Sequence, residues 1–335
     1  MNFALIVDAL DPVSSYYVDN NTVYDFKNNK EYFIPTIGIN KDCFLTIYNY
    51  PLLFENGYLF NWHEFEYDLP DLDLDLIFLV VERTLGREEF TPWVDIQNLR
   101  KKYPNTRIVG YIKEPEAVIN SYNDHNQYSL KVNFLNKCDA VVVNRPELKE
   151  FQKLADGVDK PFNFVALPHN VNYYYDNFFK DKDLAIWAYT PHSGNRRYST
   201  LDFSKYISDK YDIPLRHKQL NLMRNFHIPI EEFIDKWSSC LFHFNLDPIP
   251  YFPGNQAVQV ASTGTINVGG VNDYHHILYP EIATCDLKKL EEKFVQLLED
   301  ENKRNEVVER AWNKLNEIFS FKAVRKQIEN IRYIS

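Results

Sequence analysis

Short apolar runs recur along this chain, and from Leu76 onward they alternate with longer segments whose apolar residues fall at helical spacing. Leu76–Val81, Arg107–Ile112, Asp139–Val143 and Phe162–Ala166 read as buried strands. Between them, helices are expected over Trp93–Tyr103, Gln127–Asn136 and Pro146–Leu154, the last with proline in its first turn. A polar and aromatic stretch without period, 168–183, reads as an interdomain linker. The alternation then restarts, with strands at Leu184–Tyr189, Pro214–Lys218, Cys240–Asn245 and Thr265–Val268 and helices at Leu201–Lys210 and Pro229–Ser238. Three amphipathic helices follow: Leu287–Glu299, Asn302–Ile318 and Phe321–Arg332. Ahead of Leu76, Phe3–Asp8 is a first strand, while Tyr32–Ile37, Phe44–Tyr48 and Gly57–Asn61 are short strands without assignable partners. Asp68–Asp75 is an acidic loop on a solvated face. Strands alternating with helices specify parallel sheets covered on both faces. The pattern therefore predicts an α/β chain of two Rossmann-like, doubly wound parallel-sheet domains, 1–170 and 171–320, and ligands in such sheets bind beyond the carboxyl ends of the strands.

The stretch Cys240–Gly269 carries the most chemistry. After its strand, Pro248, Pro250, Pro253 and Gly254 forbid regular structure. Asn255 is the expected helix cap, Ala257, Val258, Val260 and Ala261 the buried face, and Gly264 the stop. The unpaired amides of that helix start would face the sheet's mouth, a seat for a phosphate or diphosphate. Asn255, Gln256 and Gln259 add amide side chains there that can hydrogen-bond a ribose or a sugar.

Composition narrows the classes. A chain of 335 residues suits two ordinary domains, and no apolar run approaches the roughly 18–20 residues of a membrane span. The opening MNFALIVDAL lacks a basic region and meets an aspartate at once, so it reads as a strand and not a signal peptide. Cys43, Cys138, Cys240 and Cys285 are scattered without a CxxC, as in a reduced cytoplasmic protein, and no zinc pattern is visible. A net charge of −10 weighs against a non-specific polyanion binder, leaving no strong nucleic-acid signature. No GxGxxG follows any strand, which disfavours a nicotinamide dehydrogenase.

Four segments in order resemble the GT-B-fold glycosyltransferases, in particular the glycogen-synthase-like group. DAVVVNRPELKEF (Asp139–Phe151) is similar to the strand, Asn/Ser and helix near the end of the first domain. VALPHNV (Val165–Val171) resembles the run into the linker, and AVQVASTGTINV (Ala257–Val268) the family's "EAMACGTPVI". Leu287–Phe319 resembles the paired tail helices. The resemblance implies two domains facing across a cleft, a C-terminal helix (321–335) returning to the first domain, and transfer of a sugar from a nucleotide donor. Retaining members carry two glutamates separated by seven residues; Tyr251 and Gln259 stand there, so stereochemistry stays open.

In the resembling enzymes the loop after the second domain's first strand contacts the donor diphosphate. Here it is Pro191–Arg197, with Gly194, Arg196 and Arg197, Arg197 being preferred because a guanidinium fork matches phosphate. Arg216, His217 and Lys218 read as a solvated basic face, and His243, inside an apolar strand, as a core histidine or a donor contact. The donor set is then Gly194, Arg196, Arg197, His243, Gly254, Asn255, Gln256 and Gln259. An inverting enzyme needs a base beside the acceptor, and carboxylates at strand ends of the first domain are the candidates: Glu114 first, then Asp11 and Glu82, with Asp8, Asp124 and His125 behind them. No metal site and no cofactor are expected, the donor being a UDP-, GDP- or ADP-sugar. The acceptor is open among glycan, lipid, protein and modified nucleobase. Two other readings share the fold: a non-catalytic carbohydrate-binding or scaffold protein, supported by the missing glutamate pair, and a nucleotide-sugar epimerase.

Overall fold

A computed structural model describes residues 1–7, 22–25, 30–33, 49–61, 71–81, 95–112, 125–146, 156–188, 194–217, 230–248 and 254–333. Two compact units part between Pro168 and His169 and again between Ser320 and Phe321.

The first unit holds β1 (Asn2–Val7), an antiparallel hairpin β2 (Thr22–Asp25) and β3 (Lys30–Phe33), then β4 (Asn56–Asn61), β5 (Leu76–Val80), α1 (Ile96–Lys102), β6 (Arg107–Ile112), α2 (His125–Leu135), β7 (Ala140–Val143) and β8 (Phe162–Phe164). Six strands form one sheet in the order β4-β1-β5-β6-β7-β8, every pair parallel. Gly57–Asn61, which lacked a partner in the sequence, pairs with β1. The central strands β5 and β7 are buried throughout, which is why they are continuous Val, Ile, Leu and Phe rather than alternating. Asp95 caps α1, accepting from the Gln97 amide at 2.9 Å. The helix expected at Pro146–Leu154 falls almost wholly outside the described residues, as does Phe44–Tyr48.

Inside this unit Tyr50 is fully buried against Phe78 and Tyr111, and its hydroxyl donates to the Ala166 carbonyl at 3.0 Å. Removing that hydroxyl strands a buried carbonyl. Tyr50→Phe is therefore expected to lower unfolding free energy by about 1 kcal/mol, read as a shift in urea midpoint at constant slope.

The second unit holds α3 (Val171–Phe178), β9 (Asp183–Ala188), α4 (Gly194–Tyr211), β10 (Leu215–Arg216), α5 (Ile230–Ser238), β11 (Cys240–Phe244), α6 (Asn255–Ser262), β12 (Ile266–Val268), α7 (Asp273–Leu278), α8 (Leu287–Glu299) and α9 (Glu301–Ile318). Its sheet is parallel, in the order β10-β9-β11-β12. Half of the expected linker 168–183 is instead the helix α3. Val171, Tyr174 and Phe178 are the buried residues of α3, and Tyr174 and Phe178 share a core cluster with Trp187, Trp237 and Val260. Tyrosine supplied the apolar surface that the composition had presented as polar. Phe294 of α8 rests edge-on against Phe242 and Phe244, tying the tail to the sheet.

The last helix, α10 (Phe321–Glu329), belongs to the first unit. Gln327 accepts from the Ala166 amide at 2.8 Å, and Asn163 exchanges hydrogen bonds with the Arg332 backbone.

Candidate functional site

The second sheet changes winding direction between β9 and β11, since β10 lies to one side and β12 to the other. Such a switch point leaves a crevice at the carboxyl ends of the two middle strands. Each of these strands feeds a helix, α4 after β9 and α6 after β11, so both helix starts are at this edge. The backbones of Gly194, Arg196 and Arg197 form the first turn of α4; their side chains lie outside the described atoms.

Residue 254 rather than Asn255 is the cap of α6. Gly254 takes φ +83°, the left-handed region glycine tolerates, and accepts from the Ala257 amide at 2.9 Å. A β-carbon there would stand 2.8 Å from that of Asn272, so the glycine also lets the loop after β12 come close. Asn255 is consequently the first helical residue, and the Asn255 and Gln256 amides fall among those a helix start leaves without intrahelical partners. Gln259, one turn on, donates to the Tyr174 hydroxyl at 3.4 Å.

Beneath this helix start is a buried polar layer that the sequence did not reveal. His243 on β11 is fully buried, its Nδ1 3.1 Å from Asn267 Oδ1 on β12 and its Nε2 3.4 Å from Gln256 Nε2. Trp237 stands edge-on to the ring at 5.4 Å. His275 of α7 is also fully buried, and both its ring nitrogens lack partners among the described residues. Its ring lies against Gly270, where φ is +82° and a β-carbon would come within 1.9 Å of Nδ1. Burial holds both imidazoles neutral, pushing His243 down to about 4 and His275 to about 3. His169, also fully buried, is pushed down to about 3 while its Nε2 meets Ser262 Oγ at 2.9 Å. The signal for His275 is the pair of glycines ahead of it, since two positive φ values in succession let an imidazole reach the backbone.

The remaining candidates divide plainly. Glu114, Asp11 and Glu82, with Asp8 and Asp124, lie outside the described residues, and His125 opens α2 by its backbone alone. Arg216 is committed to Asp183 at 2.8 Å and to Ser239 at 3.1 Å, and Lys218 lies outside the described residues. Among the described residues no group of His, Cys, Asp or Glu is arranged to hold a metal, and no helix is long and apolar enough to cross a membrane.

The sequence matches no family model and no curated protein sequence. Its fold does match solved structures. Anabaena HepE, solved with UDP and glucose, superposes with a TM-score of 0.55 over 98% of each chain at 8% identity. A glycosyltransferase from Rickettsia africae gives 0.54 over 98% of this chain and 97% of that one, at 10% identity. OtsA gives 0.58 over 79% of this chain and 74% of its own, at 9% identity. The chain has the GT-B fold. At these identities the likeness concerns architecture, two parallel-sheet units in sequence, and the GT-B assignment extends over nearly the whole chain through HepE and the Rickettsia enzyme.

Proposed function

We propose that this GT-B chain is a glycosyltransferase that seats a nucleotide-sugar at the switch point of its second unit and transfers the sugar to an acceptor hydroxyl. The observation that carries the proposal is the helix start at Gly254–Gln256, opened by a left-handed glycine beside the β12 loop and backed by neutral buried imidazoles. Its Asn255 and Gln256 amides and the helix dipole suit a diphosphate. In this reading Arg197, assisted by Arg196 and the Gly194 turn, neutralises the departing diphosphate, which is where negative charge grows during sugar transfer. Gln259 approaches the ribose. Glu114, Asp11 and Glu82 are the first unit's carboxylates from which an acceptor-side base would come, Glu114 foremost. HepE has been solved with UDP-glucose, which makes a UDP-sugar the first donor to test.

Calorimetric titration of the purified chain with UDP, GDP and ADP and their glucose or mannose conjugates tests this directly. One nucleotide series should bind, and the sugar conjugate should be slowly hydrolysed to free diphosphate without an acceptor. Arg197→Ala should weaken diphosphate binding by about tenfold, the value of one charge-assisted contact. Binding to none of the nucleotides defeats the proposal. Glycan binding untouched by Arg197→Ala, without donor turnover, would favour the scaffold reading.

A further inference from the structure

We propose that His243 and Asn267 fix the polarity of the Gln256 side chain, so that Gln256 presents its carbonyl oxygen to the site and reads a hydroxyl of the donor. This rests on the donor seat proposed above and adds to it a positioning residue and a specificity rule.

The chain of contacts runs from the sheet interior to the helix start. His243 Nδ1 faces Asn267 Oδ1 at 3.1 Å. An amide oxygen can only accept, so with Asn267 Oδ1 turned to it Nδ1 carries the ring's single proton. Because burial keeps the ring neutral, Nε2 is then a lone pair. The group 3.4 Å from it on Gln256 must donate, which assigns that position to the amide NH2. An amide that turns its NH2 inward turns its oxygen away. Gln256 is only half-buried, so that oxygen is available at the helix start, beside the amides proposed to hold the diphosphate. It can accept from a hydroxyl and offers nothing to an acceptor-only group. The Trp237 edge restricts rotation of the imidazole, which keeps the relay in one arrangement.

Two measurements test this. In protein labelled with nitrogen-15 at histidine, His243 should show the Nδ1–H tautomer at neutral pH; an Nε2–H tautomer overturns the relay with no ligand involved. The second uses UDP-glucose, its monofluoro-deoxy analogues at each sugar hydroxyl, and the ribose 2′-deoxy and 2′-fluoro forms. Fluorine accepts weakly but cannot donate. At one position both the deoxy and the fluoro donor should bind the wild type about tenfold more weakly than the parent, as when one buried hydrogen bond is lost. That position tells whether the transferred sugar or the ribose is read. Gln256→Leu should abolish this discrimination, and His243→Leu, which frees the amide to turn over, should restore the fluoro analogue to within about threefold of the parent. Wild-type protein that binds UDP-glucose but treats fluoro and hydroxyl donors alike overturns the relay alone. If another nucleotide series is the one that binds, the same analogues of that donor are used; failure of the wild type to bind any UDP-, GDP- or ADP-sugar overturns the donor seat, and the relay's role falls with it.

Discussion

Acidification from pH 6.5 to 4.5 is expected to remove roughly 6 kcal/mol of unfolding free energy, the summed effect of three imidazoles that the fold keeps neutral. His169 and His275 are held down to about 3 and His243 to about 4. In the unfolded chain each takes a proton near pH 6.5. Between those limits the unfolded state binds more protons than the native one, so stability is highest above pH 6.5 and falls as pH drops. Each ring contributes about 2 kcal/mol over that window. Against a total of about 5–15 kcal/mol for a typical domain, the loss is a large share of the stability of the second unit, where all three reside. Urea melts at half-unit pH steps, followed by tryptophan fluorescence, would show the midpoint falling steeply below pH 6. His275→Asn should flatten the slope by one proton. A midpoint constant from pH 7 to 5 would mean the rings are hydrated and chargeable in the native protein.

The second large effect is at Gly254. Gly254→Ala places a side chain at φ +83° and drives its β-carbon to 2.8 Å from that of Asn272. Left-handed strain of about 1–3 kcal/mol and overpacking of similar size combine, so a loss of roughly 2–5 kcal/mol is expected. The start of α6 must shift to relieve it, and diphosphate affinity should fall by more than tenfold. Repeating the change in an Asn272→Gly background separates the two causes, because only the contact, not the backbone strain, is relieved there. A Gly254→Ala protein with unaltered midpoint and affinity would show that this cap does not organise the site.

Helix and strand existence was largely legible in the residues. Leu287–Glu299 stands where its period put it, and the structure adds a local cap, Asp286, that agrees with the amphipathic pattern. Val171–Phe178 escaped because tyrosines in its face read as polar, and α7 because a short element carrying two histidines has no period to detect. The cap of α6 was misplaced by one residue, since a left-handed glycine competes with asparagine for that role and only φ decides between them. The buried layer was invisible for a different reason. His243 and Asn267 are paired through strand register across 24 positions, and nothing local in a sequence specifies register between parallel strands.

The allegiance of the last helix has a consequence for how the molecule is made. Gln327 and Arg332 complete the edge of a sheet whose other residues leave the ribosome first, so that lobe must wait, unfinished, while the intervening one is synthesised. The described residues of the middle lobe form one run, 169–320, which can condense as it emerges; the amino-terminal lobe is sealed only when translation has run past it. A released chain truncated after residue 320 should therefore be protease-resistant over 169–320 and still cleavable ahead of it.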